Sequence, residues 1–164
     1  MSRAQKGSNY DPNLKTSDIA KLIREFISTE KKEGDIPKGL KISVKTDTYS
    51  MGSSINARIT AVPPSMDLHD EKSCHFVSSR SRQNLQCGLN SQIVKIFKNL
   101  KSLDSQYNYD NSDIQTDYFD VDHYFFTSVS HELSRVELDK MFDKVKDTAP
   151  VTGEMIRGSS YSVG

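Results

Sequence analysis

The residues best suited to metal chemistry or to recognition lie together in the segment 102–134. This segment contains seven acidic residues, no Lys or Arg, and seven of the fourteen Phe and Tyr residues of the chain. Four of its carboxylates, those of Asp113, Asp117, Asp120 and Asp122, could gather around a divalent cation, since hard cations prefer carboxylate oxygens. A metal-dependent nuclease uses such a cluster to polarise a phosphate and to activate water.

The spacing of these carboxylates argues against a metal site. No stretch matches the calcium-binding loop, which requires a glycine and a distal glutamate at fixed positions. If the segment forms a strand, Asp120 and Asp122 point to the same face and are simply solvated. We therefore expect no metal and no cofactor, and a metal-dependent nuclease is the third-ranked hypothesis.

The aromatic residues of the same segment favour protein recognition over base stacking. Base stacking usually accompanies a basic groove for the nucleic-acid backbone, and this segment has no positive charge. An acidic surface with exposed tyrosines suits a basic protein partner instead, whereas Phe119, Phe125 and Phe126 are expected to pack beneath the helices. The expected partner-binding residues are Tyr107, Tyr109, Asp113, Asp117, Tyr118, Asp120, Asp122 and Tyr124.

A second set of residues supports nucleic-acid binding as the alternative function. Two arginines lie close together in the middle of the chain, and three lysines follow on a predicted helix. Such residues could contact phosphates, although the same pattern is common on solvated surfaces. The alternative site consists of Arg80, Arg82, Lys95, Lys98 and Lys101.

The rest of the sequence offers no competing catalytic motif. It contains no Walker loop, dinucleotide fingerprint or nucleophile elbow. His69, Cys74, His75 and Cys87 lack the paired spacing of a zinc site. The N-terminus lacks the apolar region of a signal peptide, and no apolar run reaches the roughly 20 residues that cross a bilayer. We therefore expect a cytoplasmic protein with no membrane partner, in which both cysteines are free thiols.

Length and composition predict one modest hydrophobic core. The chain has 164 residues, of which 35% are hydrophobic, and a mean hydropathy of −0.62. Residues 1–101 carry 17 basic and 10 acidic groups, whereas residues 102–164 carry 5 and 12. Such an asymmetry can steer a charged partner or bring the two halves together in the fold. We predict a single α+β domain over 16–147, with an irregular insertion at 65–88, a flexible lead at 1–15 and a flexible tail at 148–164.

Hydrophobic periodicity predicts the elements of this domain. Apolar residues spaced as on one helix face follow a Thr16 or Ser17 cap, and this helix should end at Gly34. Two alternating runs, 40–44 and 55–61, predict a β-hairpin with a long polar loop. A second helix should follow Asn90 or Ser91, a strand should cover 118–129, and a Ser134–Glu137 capping box should begin a third helix. The expected architecture is a small antiparallel sheet packed by two to three helices.

Three stretches, in this order, resemble one family. They are IAKLIREFI as a first helix, LKISVKTDTYSMGSSINARIT as a hairpin with a Ser/Gly-rich loop, and SDIQTDYFDVDHYF as a closing segment. Together they resemble the large polyvalent-protein-associated domains of type twenty-nine, which occur in proteins of phages and conjugative elements. The resemblance covers roughly residues 18–128 and implies a small α+β fold in a mobile-element setting. It implies no particular biochemical activity, and the insertion and the third helix depart from the family pattern.

The sequence thus predicts a non-catalytic accessory protein of a phage or mobile element. Its expected partner is a host protein or protein complex, and the most concrete form of this hypothesis is a counter-defence inhibitor. Nucleic acid is the alternative partner. The oligomeric state and the role of the 65–88 insertion stay open.

Overall fold

The computed structural model describes residues 5–50, 52–110 and 123–152, and these residues form an α+β structure. Within them no helix is long and apolar enough to cross a membrane. The helices and strands are, in chain order, β1 (Gln5–Lys6), α1 (Thr16–Glu33), β2 (Lys41–Tyr49), β3 (Gly52–Ala61), β4 (His75–Val77), β5 (Leu85–Gln86), α2 (Ser91–Gln106), β6 (Tyr109–Asp110), β7 (Tyr124–Val129), α3 (His131–Val145) and β8 (Val151–Thr152). The α+β class predicted from the sequence is confirmed.

The chain divides into two compact units. The first takes in the described residues of Met1–Pro63 and Lys95–Val129, and the second takes in those of Pro64–Val94 and Ser130–Gly164. The segment that we expected to be an irregular insertion contributes β4 and β5 to the second unit. Strand pairing also reaches into both segments that we expected to be flexible, since β1 pairs with β6 and β8 pairs with β4.

Helix α1 forms where its apolar stripe predicts it. Ile19, Ile23 and Ile27 are buried along one face, because residues spaced by four lie on the same side of a helix. The helix begins one residue earlier than expected: Lys15 is the cap residue, and its backbone N–H donates to the Asp18 carboxylate at 2.9 Å. Gly34 ends the helix with a φ of 88°, a left-handed conformation that glycine adopts without strain.

The hairpin of β2 and β3 is longer and its turn is shorter than the sequence predicted. The two strands pair in antiparallel register as far as Tyr49 opposite Gly52, so the expectation of a long polar loop was wrong. Thr46, Thr48 and Tyr49 have strong strand propensity and extend β2. Their polar groups make the segment resemble a loop in composition although its backbone is paired.

Strand β7 completes a mixed three-stranded sheet in the order β2–β3–β7. It pairs with β3 in parallel, with Tyr124 opposite Ser54 and Phe126 opposite Asn56, so this sheet is not purely antiparallel. Side chains alternate across a strand, and Ile55, Ala57 and Ile59 are completely buried on the face towards the helices. Arg24 of α1 donates from Nη2 to the Val44 carbonyl at 2.6 Å and so ties α1 to β2.

The second unit contains the sheet β5–β4–β8 and helix α3. Its core is a cluster of buried side chains, against which Leu138 and Phe142 pack. The rings of Phe76 and Phe142 meet edge to face with centroids 6.0 Å apart, an arrangement that aromatic quadrupoles favour. The buried cluster consists of Cys74, Phe76, Leu85, Met141, Val145 and Ala149.

Helix α3 starts about one turn before the predicted capping box. Ser130 is the N-cap, and its Oγ accepts from the Leu133 backbone N–H at 3.4 Å. Ser134 therefore lies inside the first turn, and Glu137 is buried rather than a cap. The Glu137 carboxylate accepts from the Leu68 backbone N–H at 3.5 Å and pairs with Lys140 at 3.0 Å, which compensates for its burial.

The two cysteines form a disulfide bond, so the prediction of free thiols was wrong. Cys74 and Cys87 are 13 residues apart in sequence and lie in the second unit. The prediction rested on an assumed reducing compartment and not on the residues themselves. Pairing was not foreseeable from spacing, because β4 and β5 bring the two cysteines together by antiparallel pairing of His75 with Gln86.

Candidate functional site

The candidate site is the face of the β2–β3–β7 sheet opposite the buried isoleucines. Every second residue of each strand lies on this face. The strand register sets these residues side by side in rows across the sheet, and one such row is Lys45, Asn56 and Phe126. We call this surface the outer face. Its residues are Ser43, Lys45, Asp47, Tyr49, Ser54, Asn56, Arg58, Tyr124, Phe126 and Ser128, of which Ser54 is buried.

Three aromatic side chains lie on the outer face. Phe126 is 51% exposed and Tyr49 is 42% exposed, although large apolar rings are usually buried. The rings of Tyr124 and Phe126 are nearly parallel, with centroids 6.2 Å apart and 12° between their planes. The expectation that Phe126 packs beneath the helices was therefore wrong, because its position in the alternation places it on the opposite face from Phe125.

Polar and charged groups flank the rings on the outer face. Arg58 donates from Nε to Ser128 Oγ at 3.3 Å, which lays its guanidinium beside β7. Lys45 is exposed in the row of Phe126, and Asn56 lies between them with its amide donating to Ser54 Oγ at 3.2 Å. Asp47 is the acidic residue of this face and lies in the row of Tyr124.

A buried polar group fixes the start of β7 and thereby the position of Tyr124. His123 Nε2 lies 2.5 Å from Asp104 Oδ1, and their side chains are 0% and 4% exposed. Asn108 bridges the same region, since its amide donates to Asp104 Oδ2 at 3.2 Å and to the His123 carbonyl at 2.9 Å. This network connects the end of α2 to the first residue before β7, and its burial suits a structural role.

Only part of the predicted acidic and aromatic site can be located. Asp113, Asp117, Tyr118, Asp120 and Asp122 lie outside the described residues. Tyr107 is half-buried after the end of α2, and Tyr109 lies in β6. Tyr124 is the member of this set on the outer face, so the role of the set as a whole stays a prediction.

The predicted basic site is divided between the two units. Arg80 and Arg82 belong to the second unit, whereas Lys95, Lys98 and Lys101 belong to the first. Arg82 pairs with Asp139 at 2.9 Å and lies over the Phe142 ring, and Arg80 donates to the Lys146 carbonyl at 3.1 Å. The two arginines therefore already stabilise the second unit, while the three lysines are exposed on α2.

An open groove of about 590 Å³ lies at the N-terminus of α1. Hydroxyl groups dominate its lining, and Thr16 Oγ1 and Ser53 Oγ form a hydrogen bond of 2.6 Å across it. The described lining residues include no His, Cys or carboxylate, and their titratable side chains are those of Lys15 and Tyr49. They are Leu14, Lys15, Thr16, Ser17, Thr46, Thr48, Tyr49, Ser50, Gly52 and Ser53.

Three carboxylates approach one another at the end of α1. Oxygens of Glu30, Glu33 and Asp35 lie within 4.8 Å of one another. Desolvation raises the pKa of Glu30, and the negative charges of Asp35 and Glu33 raise it further. Exposed acidic groups of this kind are common without a bound ion, so we assign this cluster no function.

The buried His69 makes the second unit sensitive to pH. Its Nδ1 atom is buried and has no hydrogen-bond partner among the described residues. Burial lowers the pKa of His69 below 6.5, against the opposing effect of the Glu137 and Asp67 charges. The unfolded chain therefore binds a proton at a higher pH than the folded chain does, so stability is lost as the pH falls below about 6.5 and levels off below the folded pKa.

We expect His69→Leu to reduce the fall in the free energy of unfolding between about pH 7.5 and about pH 5. Urea denaturation at several pH values measures this difference. His75→Leu is the control and should keep the fall seen in the wild type, because it leaves His69 in place. The same pH dependence in His69→Leu and in the wild type would contradict this assignment.

Several residues of the outer face were not identified from the sequence. Asn56 and Arg58 lie in β3, whose pairing with β7 is far from local, and Lys45 lies in β2, which pairs with β3. Phe126 was assigned to the core. The signal that could have found them is the period of two in residues 53–61, which separates Asn56 and Arg58 from the buried isoleucines. His123 could have been found in a similar way, since it lies two residues before Phe125, on the same face of the predicted strand, and follows three spaced aspartates.

Comparison with known proteins finds no match to this chain among family models, curated proteins or solved structures. The resemblance drawn from the sequence therefore stays a prediction. The function has to be argued from the outer face itself.

Proposed function

We propose that this protein is a non-catalytic binding protein that contacts a macromolecule through the outer face. The observation that carries the proposal is the exposure of Phe126 beside Tyr124 on one side of the sheet. Aromatic side chains that are exposed together on one surface are typical of recognition sites. Burying these side chains would stabilise the fold, so their exposure is not explained by a purely structural role.

The chemistry of the described residues supports binding more than catalysis. The His123–Asp104 pair is buried, so neither side chain reaches a substrate at the surface. The described lining of the groove at α1 offers hydroxyl groups with Lys15 and Tyr49, but no His or carboxylate that would activate a hydroxyl. A rigid sheet with aromatic, amide and cationic side chains is, in contrast, suited to hold a partner in one orientation.

The sequence resemblance supplies the setting of this proposal. In that setting the protein is an accessory factor of a phage or conjugative element, and inhibition of a host defence system is the most concrete form of its role. The compartment would be the host cytoplasm. Disulfide bonds are rare in a reducing cytoplasm, so in this setting the Cys74–Cys87 disulfide is an exception to that pattern.

Substitution of Phe126 tests the proposal. We expect immobilised wild-type protein to retain a specific macromolecule from a bacterial lysate, and we expect Phe126→Asp to retain at least about tenfold less, as at a binding hot spot. The reason is that a charge at the centre of the outer face is desolvated by any partner. Protein and nucleic acid in the retained fraction are both quantified.

Val136→Asp is the matched control for this experiment. Val136 is 49% exposed on α3, in the second unit, so this variant introduces the same charge at an equally exposed apolar side chain. Both variants should melt cooperatively within a few degrees of the wild type. Equal retention by Phe126→Asp and by the wild type would refute the proposal.

A further inference from the structure

We propose that the outer face binds single-stranded nucleic acid, with a base stacked on Phe126 and the phosphates beside Lys45 and Arg58. This inference rests on the proposed function of the same face and names its partner. It uses a different set of basic residues from the one that the sequence suggested.

The aromatic rings match the planar shape of a base. Phe126 is half exposed, and its ring is nearly parallel to that of Tyr124 at a centroid distance of 6.2 Å. Bases stack on such rings regardless of their identity, since every base has a flat π-face. A sheet that carries exposed aromatic side chains on alternating positions is a known platform for splayed single-stranded bases.

Two cations lie on the other strands of the outer face, Arg58 on β3 next to β7 and Lys45 on β2 beyond β3. Lys45 shares the register row of Phe126, and Arg58 lies one row further along β3, opposite Ser128. Ion pairs within the described part of the chain use other side chains, so both charges are available to phosphates. The positive charge that segment 102–134 lacks is thus supplied by β2 and β3.

The polar groups define where the backbone of the nucleic acid runs. Asp47 lies in the row of Tyr124 and repels phosphate there, whereas Lys45, in the row of Phe126, and Arg58, in the row of Ser128, attract it. The amide of Asn56 lies between Lys45 and Phe126, where its oxygen can accept a hydrogen bond from a base edge. On β3, the base contact at Asn56 and the phosphate contact at Arg58 therefore lie at different positions along the strand.

The composition of the outer face favours nucleic acid over a protein partner. Its apolar side chains are all aromatic, and the remaining positions of the face carry Ser, Asn, Asp, Lys or Arg. Lys and Asp are depleted in protein interfaces, whereas this face carries Lys45 and Asp47. Here Arg58 lies on the strand next to that of Phe126, and Lys45 lies in the row of Phe126 across β3. A ring and cations on one face are the combination that stacking with phosphate contacts requires.

Fluorescence anisotropy with labelled oligonucleotides tests the inference. We expect oligo(dT) and oligo(rU) of about 12 nucleotides to bind the wild type, and a duplex of the same length to bind more weakly. Phe126→Leu, which keeps an apolar side chain without a ring, should weaken binding about tenfold, whereas Phe126→Trp should preserve it. Val136→Ala is the control and should bind as the wild type does.

The salt dependence of binding tests the cations separately. In the double variant of Lys45→Ala and Arg58→Ala, the slope of log affinity against log salt should fall by roughly 1.4, because each phosphate contact on a single strand contributes about 0.7. The matched pair Lys95→Ala and Lys98→Ala should leave the slope unchanged.

Three results would overturn the inference. The first is a failure of the wild type to bind any single strand while lysate retention still depends on Phe126, which would leave the proposed function standing with a protein partner. The second is binding that Phe126→Leu leaves intact but that the Lys95 and Lys98 variant abolishes. The third is equal affinity for single strand and duplex. If retention and oligonucleotide binding are both insensitive to Phe126, the proposed function falls as well.

Discussion

Asp104→Ala is expected to destabilise the first unit by about 3 to 5 kcal/mol. The Asp104 and His123 side chains are almost completely buried and lie 2.5 Å apart, and Asn108 donates to the second oxygen of the same carboxylate. Removing the carboxylate takes a partner from the buried His123 and from the half-buried Asn108 at once, which costs far more than the net value of one hydrogen bond. Chemical denaturation of the variant and of the wild type measures the loss.

Two further variants and one control test whether the loss of stability comes from the contact between Asp104 and His123. Asp104→Asn keeps a hydrogen-bond acceptor in a side chain of the same shape, so it should lose less stability than Asp104→Ala does. The double variant of Asp104→Ala and His123→Ala should lose less than the sum of the single variants, since the two side chains contact each other. Asp147→Ala, at an exposed position on the second unit, should change stability by no more than about 0.5 kcal/mol. A loss below about 1 kcal/mol in Asp104→Ala would contradict this view of the pair.

Removal of the disulfide is expected to destabilise the second unit by about 2 to 4 kcal/mol. The bond closes a loop between Cys74 and Cys87, and a loop of about 15 residues corresponds to roughly 3 kcal/mol of lost entropy in the unfolded chain. The second unit depends on this restraint because its sheet consists of strands of two or three residues. Cys74→Ala with Cys87→Ala is the appropriate variant, since Cys74 lies in the buried cluster.

Reduction of the wild type provides the control for this prediction. Reducing agent should lower the stability of the wild type towards that of the double alanine variant and should leave the variant itself unchanged. If reduction leaves the denaturation midpoint of the wild type unaltered, the bond does not contribute to stability and the prediction fails.

The local elements of this fold were largely predictable from sequence, because each depends on neighbouring residues. The buried stripe of α1 and its end at Gly34 follow from helical spacing and from the left-handed conformation at Gly34. The start of α2 after Asn90 follows from capping, and the Asn90 side chain accepts from the Gln92 backbone N–H at 2.8 Å. The start of α3 was predicted one turn too late because Ser130 and Ser134 can both cap a helix, and the N-cap is Ser130.

The features that depend on distant pairing were not predictable in this way. The parallel pairing of β7 with β3 joins residues about 70 positions apart, as Arg58 and Ser128 show. This pairing decides that Phe126 is exposed and that it shares one face of the sheet with Lys45 and Arg58. The sequence shows an aromatic segment without positive charge, whereas the fold places cations from other strands beside it. The disulfide was missed for a similar reason, since the pairing of β4 with β5 determines it.

The central claim is that the outer face is a binding surface centred on Phe126. The most direct test is the side-by-side comparison of lysate retention by Phe126→Asp and by Val136→Asp, which carry the same charge change on different units. The account predicts that Phe126→Asp loses the retained macromolecule and that Val136→Asp keeps it. Retention of the same macromolecule, in the same amount, by both variants would contradict the account.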